Sequence, residues 1–213
     1  WASEGAILTQ SVLRGSLGDS HLLESPRYAH AWAVIDRLGT RLRAAIMPSL
    51  RAGAQTLELA RQTERSLLEE AMRSAGSGPG VLVVTGDPDV GKSALALRAA
   101  EALQQGGAAV ASLSLRDLPQ SATEFESQLG GFDVGEVLAA GESSPIRILL
   151  IDGAETVLEG KSPVLAALAT AALKAGTGVV AVTRSDGSRQ ATRVLSDALE
   201  LAGTDALPIE HGV

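Results

Sequence analysis

The chain contains no cysteine, which excludes disulfide bonds and thiolate chemistry. Aromatic residues make up only 2% of its 213 positions, so a core must be built from Ala, Val, Leu and Ile. Lysine occurs only at Lys92, Lys161 and Lys174, and arginine supplies the remaining positive charge. Together with the abundance of Ala and Gly, this is the residue usage of a GC-rich bacterial genome. No apolar run reaches the roughly 18 residues that a membrane span requires. The start also lacks the basic-then-apolar order of a signal peptide. These absences point to a cytoplasmic protein without a membrane partner. His21, His30 and His211 are too scattered to build a metal site. The chain opens on Trp1 rather than methionine, and we expect it to be part of a longer protein.

What is present is unevenly charged. The net charge is −7. Residues 1–79 carry nine Arg against eight acids, whereas residues 80–213 carry nine basic against seventeen acidic residues. Binding to nucleic acid rests on neutralising phosphates, so an acidic second part argues against DNA or RNA as its partner.

Residues 1–24 are rich in Gly and Ser without periodicity and read as a linker. "SPRYAHAWAVIDRLGTRLRAAI" begins a helix, with Ser25 as N-cap and Pro26 at the first helical position. Pro48 and Gly53 interrupt the pattern. A second helix is expected over about 55–74, followed by the joint "SAGSGPG" at 74–80. The texture then changes to alternating strands and helices. Strands are expected at 81–85, 108–115, 147–152 and 178–183, with a fifth at 206–210. Helices are expected at 92–105, 121–129, 133–140 and 162–176. Fully apolar strands alternating with helices predict a parallel sheet covered on both faces. The expected division is a linker and helical connector over 1–54 and an α/β core over 55–213.

"GDPDVGKS", from Gly86 to Ser93, joins the first of these strands to a helix and fits G-x-x-x-x-G-K-[ST]. In that spacing successive backbone N–H groups curl around an anion, and glycine permits the close approach. Gly86, Asp87, Pro88, Asp89, Val90, Gly91, Lys92, Ser93 and Ala94 are therefore the candidate nucleotide-binding residues. Lys92 reaches the β- and γ-phosphates, the Ser93 hydroxyl is a Mg²⁺ ligand, and the helix directs its positive dipole end at the phosphates. Asp89 replaces a glycine of many such loops. Aspartate tolerates the left-handed backbone region, and its carboxylate is expected to face solvent.

"RILLIDGAE" runs four aliphatic residues into Asp152, with Glu155 three positions later. An acid at the carboxyl end of a buried strand can hold hydrated Mg²⁺, and a second can orient or deprotonate water. Asp152 is the candidate metal ligand. Glu155 is the candidate catalytic acid, with Glu159 as its competitor. "GVVAVTRSD" ends another strand on Thr183 and Arg184, placed to respond to a γ-phosphate.

Taken together, "GDPDVGKS", "ILLIDGAE" and "VVAVTR" resemble the STAND class of P-loop NTPases, AAA+-related switch ATPases that include the NACHT and NB-ARC groups. "DGAE" is similar to the NACHT pattern of Asp-Gly, any residue, then an acid. "VTR" is similar to the family's sensor strand. Arg61 falls near the family's adenine-contacting Gly-Arg-Glu element, with Ala60 in the place of its glycine and Gln62 in that of its acid. The resemblance covers roughly 55–213. It implies a three-layer P-loop NTPase fold preceded by a helical segment, ATP/ADP and Mg²⁺ as ligands, and slow hydrolysis serving as a timer. It also implies partnership with other domains of the parent chain and nucleotide-dependent homo-oligomers. Two other readings stay open: a small-molecule kinase with Arg184, Arg189 and Arg193 in a lid, and a nucleotide-binding scaffold without activity.

Overall fold

A computed structural model of the chain describes residues 26–46, 50–52, 55–57, 61–140, 144–204 and 206–213. The expected linker, the Ser25 cap, His21, Pro48, Gly53 and Ala60 lie outside the described residues.

Helix α1 (Ala29–Ile46) follows a single 3₁₀ turn at Pro26–Tyr28. Strands β1 (Leu50–Ala52) and β2 (Gln55–Leu57) pair antiparallel, and α2 spans Gln62–Gly76. The helix expected from residue 55 therefore begins seven residues later, because residues 55–57 spend their backbone groups on β1 instead. Next come β3 (Val81–Gly86), α3 (Lys92–Gln105) and β4 (Ala109–Ser114). Two short helices follow, α4 (Ala122–Gln128) and α5 (Val134–Ala139), and then β5 (Arg147–Asp152). The chain continues through α6 (Ser162–Lys174), β6 (Gly178–Arg184), α7 (Ser185–Leu201) and β7 (Ile209–Gly212). β7 starts after the expected 206–210 segment has begun, since Pro208 has no N–H to give a sheet ladder.

Strands β3 to β7 form one five-stranded sheet in the order β4-β5-β6-β3-β7, and every neighbouring pair is parallel. The apolar runs are buried on both sides. Val81, Val83, Leu149, Ile151, Val179 and Ala181 pack against α4 to α7. Their neighbours Leu82, Val84, Ile148, Leu150, Val180 and Val182 pack against α2 and α3. The helix leading from β3 out to β4 lies on one face and those leading back lie on the other, as right-handed crossovers require. This is a three-layer α/β fold of the P-loop NTPase type. The residues N-terminal to β3 are not peripheral to it. α1 packs along edge strand β4 and buries Ala31 and Ile35 in one apolar layer and Leu42 in the other. It thereby covers an edge that would otherwise offer unpaired backbone groups.

Helix α7 was not anticipated. "RSDGSRQ" has the composition of a turn, and the signal lies further on, in the helical spacing of Ala191, Val194, Leu195, Ala198 and Leu199. Among the described residues no helix is long and apolar enough to cross a membrane.

Candidate functional site

The order of the sheet brings three chain segments, distant in sequence, to the carboxyl ends of adjacent strands. β6 is inserted between β3 and β5, so its terminal Thr183 stands between the glycine-rich loop and Asp152. Thr85 and Thr183 are paired in register, as are Ser114 and Asp152 on the far side. The carboxyl edge of a parallel sheet, where crossovers diverge, is where such folds bind ligands. A cavity of about 520 Å³ opens there, with Lys92, Ser93, Asp152, Glu155, Thr183 and Arg184 in its lining.

The segment Gly86–Ser93 joins the end of β3 to the start of α3. Gly91, at φ 84°, caps α3 in the left-handed region, and the Leu95 N–H donates to its carbonyl. Lys92 is buried, and its Nζ donates to the Asp87 carbonyl at 2.5 Å, which folds the lysine back over the loop. Asp89 has φ 61° and an exposed side chain. For a residue with a Cβ this conformation costs about 1 kcal/mol, partly offset because glycine loses more chain entropy on folding, by ~0.5 kcal/mol. Asp89→Gly is therefore expected to raise the thermal midpoint slightly, by about 1–2 °C. A fall on a circular-dichroism melt would show that the carboxylate itself holds the loop.

Two further contacts tie the loop to its neighbours. Arg61 Nη1 donates to the Val90 carbonyl at 2.9 Å, which ties this arginine to the loop. The Ser185 hydroxyl donates to the Asp87 carboxylate at 3.0 Å, fastening the start of α7 to it.

At the end of β5 the Asp152 carboxyl and the Ser93 hydroxyl line the same cavity. Burial pushes the Asp152 carboxyl above its usual range, and the neighbouring Ser93 hydroxyl only partly offsets this. A carboxylate so placed gains from a cation at its oxygens. A hydroxyl and a carboxylate side by side are also the oxygen donors that Mg²⁺ accepts alongside phosphates and water. No cluster of three or more His, Cys, Asp or Glu that could hold a metal occurs among the described residues.

Glu155 is 5% exposed, whereas Glu159 is exposed and absent from the cavity lining. Glu155 forms an ion pair with Arg116, from the 3₁₀ turn Leu115–Asp117 that follows β4. Its other flank is Gly187, in the first turn of α7. A Cβ at Gly187 would lie 2.6 Å from the Glu155 Cβ and 2.7 Å from its Cα. Gly187→Ala must push α7 and Glu155 apart, at an overpacking cost of ~1–3 kcal/mol. We expect a midpoint lowered by several degrees on a thermal melt. An unchanged midpoint would mean that α7 is not seated on Glu155.

Thr183 is fully buried, with its hydroxyl bonded to the Arg184 carbonyl at 3.2 Å. Arg184 lines the cavity, but both of its bonded nitrogens engage Asp186, at 3.2 and 3.1 Å. Arg189 and Arg193 lie exposed on α7, not in a lid.

Sequence reasoning missed Arg116 and the apolar wall formed by Leu42, Ala45 and Ile46 of α1. For Arg116 the available signal was its position just beyond a strand end. For the wall there was none, since only folding brings α1 across the sheet edge.

No protein-family model and no curated protein matches the chain. Among solved structures, a Pif1 helicase from Candida albicans matches over 74% of this chain, with 17% identity and a TM-score of 0.35. The chain spans 41% of that protein's length. At that score the match carries no argument about function, and the P-loop NTPase fold stated here rests on the chain's own sheet order and glycine-rich loop.

Proposed function

We propose that this chain is the ATP-binding, slowly hydrolysing switch module of a larger bacterial signalling or defence protein of the STAND class. The observation that carries the reading is the convergence of Lys92, the Ser93–Asp152 pair and buried Glu155 on one cavity at the carboxyl edge of the sheet. Lys92 and the loop N–H groups would hold the β- and γ-phosphates, and Ser93 and Asp152 would hold Mg²⁺, which lends charge neutralisation to the transferring phosphoryl group. Glu155 orients and deprotonates water. Arg61, bonded to the Val90 carbonyl, stands beside the loop where the resemblance puts an adenine contact. Thr183 and Arg184 supply the sensor end of β6.

Slow turnover follows from the state of the cations. Fast phosphoryl transfer commonly relies on an additional arginine worth ~10³–10⁵ in rate. Here Arg184, the arginine at the end of β6, is held through two nitrogens by Asp186. Residues 55–213 form the nucleotide core in this reading and residues 1–54 the connector. α1, within that connector, walls the cavity, so occupancy is felt directly by the segment that would pass the signal to other domains.

The test is a Mg-ATP and Mg-ADP calorimetric titration of the 213-residue chain, with steady-state turnover and light scattering. The expected result is binding of both nucleotides, turnover far below one per second, and a monomer. Several turnovers per second by a monomer would overturn the switch reading in favour of a self-sufficient enzyme.

A further inference from the structure

We propose that Arg116 reads the terminal phosphate of the bound nucleotide, so that the guanidinium holding Glu155 also sets a preference for triphosphate over diphosphate. The inference rests on the nucleotide-binding reading above and adds a specificity-determining residue to it.

Three observations carry it. The first is position. Arg116 follows β4 directly, and the strand-end pair Ser114 and Asp152 places its turn next to the Asp152 carboxylate. Arg116 therefore lines the cavity on the Ser93–Asp152 side, the end at which a phosphate loop presents its lysine and hydroxyl to the β- and γ-phosphates. Arg61 is bonded to the loop at the Val90 carbonyl and is absent from the cavity lining.

The second is spare bonding capacity at a fixed place. Leu115, next to Arg116, is fully buried and anchors the turn. The Arg116 side chain remains 55% exposed and gives one nitrogen, Nη2, to Glu155 Oε1. A guanidinium carries five donors in a rigid fork that matches two oxygens of a phosphate. One donor is used on Glu155, and Arg116 lies in the cavity lining.

The third is charge. Asp152, Glu155 and Asp117 all line this cavity and oppose a triphosphate. Lys92 is a single cation shared between the β- and γ-phosphates in this reading, and Arg184 is held bidentate by Asp186. Each added phosphate raises the need for a cation at the Asp152 end, and Arg116 is the cation standing there. A diphosphate, ending short of it, makes no such demand.

The experiment is calorimetry of the full chain with Mg²⁺ and either ADP or the slowly hydrolysed triphosphate ATPγS. Wild type, Arg116→Ala, Arg116→Lys and Glu155→Gln are compared. Loss of charge-assisted bonds to one phosphate predicts that Arg116→Ala weakens ATPγS by ~10–100-fold while ADP stays within about twofold. Arg116→Lys should recover part of the loss. Glu155→Gln should keep the full preference, because Arg116 is still present. Parallel losses for both nucleotides in Arg116→Ala, or no loss for either, would overturn the proposal. So would a Glu155→Gln variant that loses discrimination, since the ion pair and not the phosphate contact would then set it. A wild-type chain that binds neither nucleotide would overturn the underlying nucleotide reading and this inference with it.

Discussion

Lys92→Ala is expected to weaken Mg-ATP binding by ~100-fold or more while leaving the fold intact. The ammonium is buried at the head of α3, so its attraction for phosphate is screened far less than a surface lysine's. Hydrogen bonds to charged partners contribute ~1.5–3 kcal/mol each, and a loop lysine reaches two phosphates, so their joint loss amounts to at least two orders of magnitude in affinity. The substitution is mild for the structure. Alanine is the best helix former, and the Asp87 carbonyl that loses its donor belongs to an exposed residue that water can satisfy. Calorimetry and a thermal melt on the same sample separate the two effects. Unchanged affinity with an unchanged midpoint would remove the phosphate-loop assignment altogether.

Glu155→Gln is the second large effect, and it falls on rate. Glutamine keeps the shape of the side chain and an oxygen for Arg116, so the cavity wall and the nucleotide contacts persist. It cannot accept a proton from water. Removing a positioned general base costs typically 10²–10⁴-fold, and hydrolysis should fall by about that factor while ADP and ATPγS affinities hold. Glu159→Gln is the matched control. Glu159 is exposed and outside the cavity, and its replacement should leave turnover within about twofold. Should Glu159→Gln stop hydrolysis and Glu155→Gln spare it, the acid has been misassigned and the Arg116 pair is only structural.

Much of the core was legible because each element announces itself locally. "VLVV", "RILLI" and "GVVAV" are continuous apolar runs, and only strands buried on two faces use them. The helix at Lys92–Gln105 starts where the loop ends, because Gly91 takes a left-handed conformation that closes the turn. The boundaries that slipped were those where a local signal competed with a partner elsewhere. Residues 55–57 have helical company in sequence but pair with β1, and β7 is set by its register with β3 after Pro208.

By itself, the amino-acid sequence determined most of the alternation of strands and helices in the core, the glycine-rich turn between β3 and α3 and the carboxylates at and after the end of β5. Each depends on neighbours within a few residues, through periodicity, capping or backbone freedom. Only the tertiary structure decided which strand stands between which. It also decided that α1 closes the β4 edge and walls the cavity, and that Glu155 rather than Glu159 turns inward between Arg116 and Gly187. Those outcomes depend on contacts between residues tens of positions apart. Their physical cause is the packing of the two apolar layers on the sheet and, for Glu155, of α7 and the β4 turn against its side chain, and no local pattern in the sequence records it.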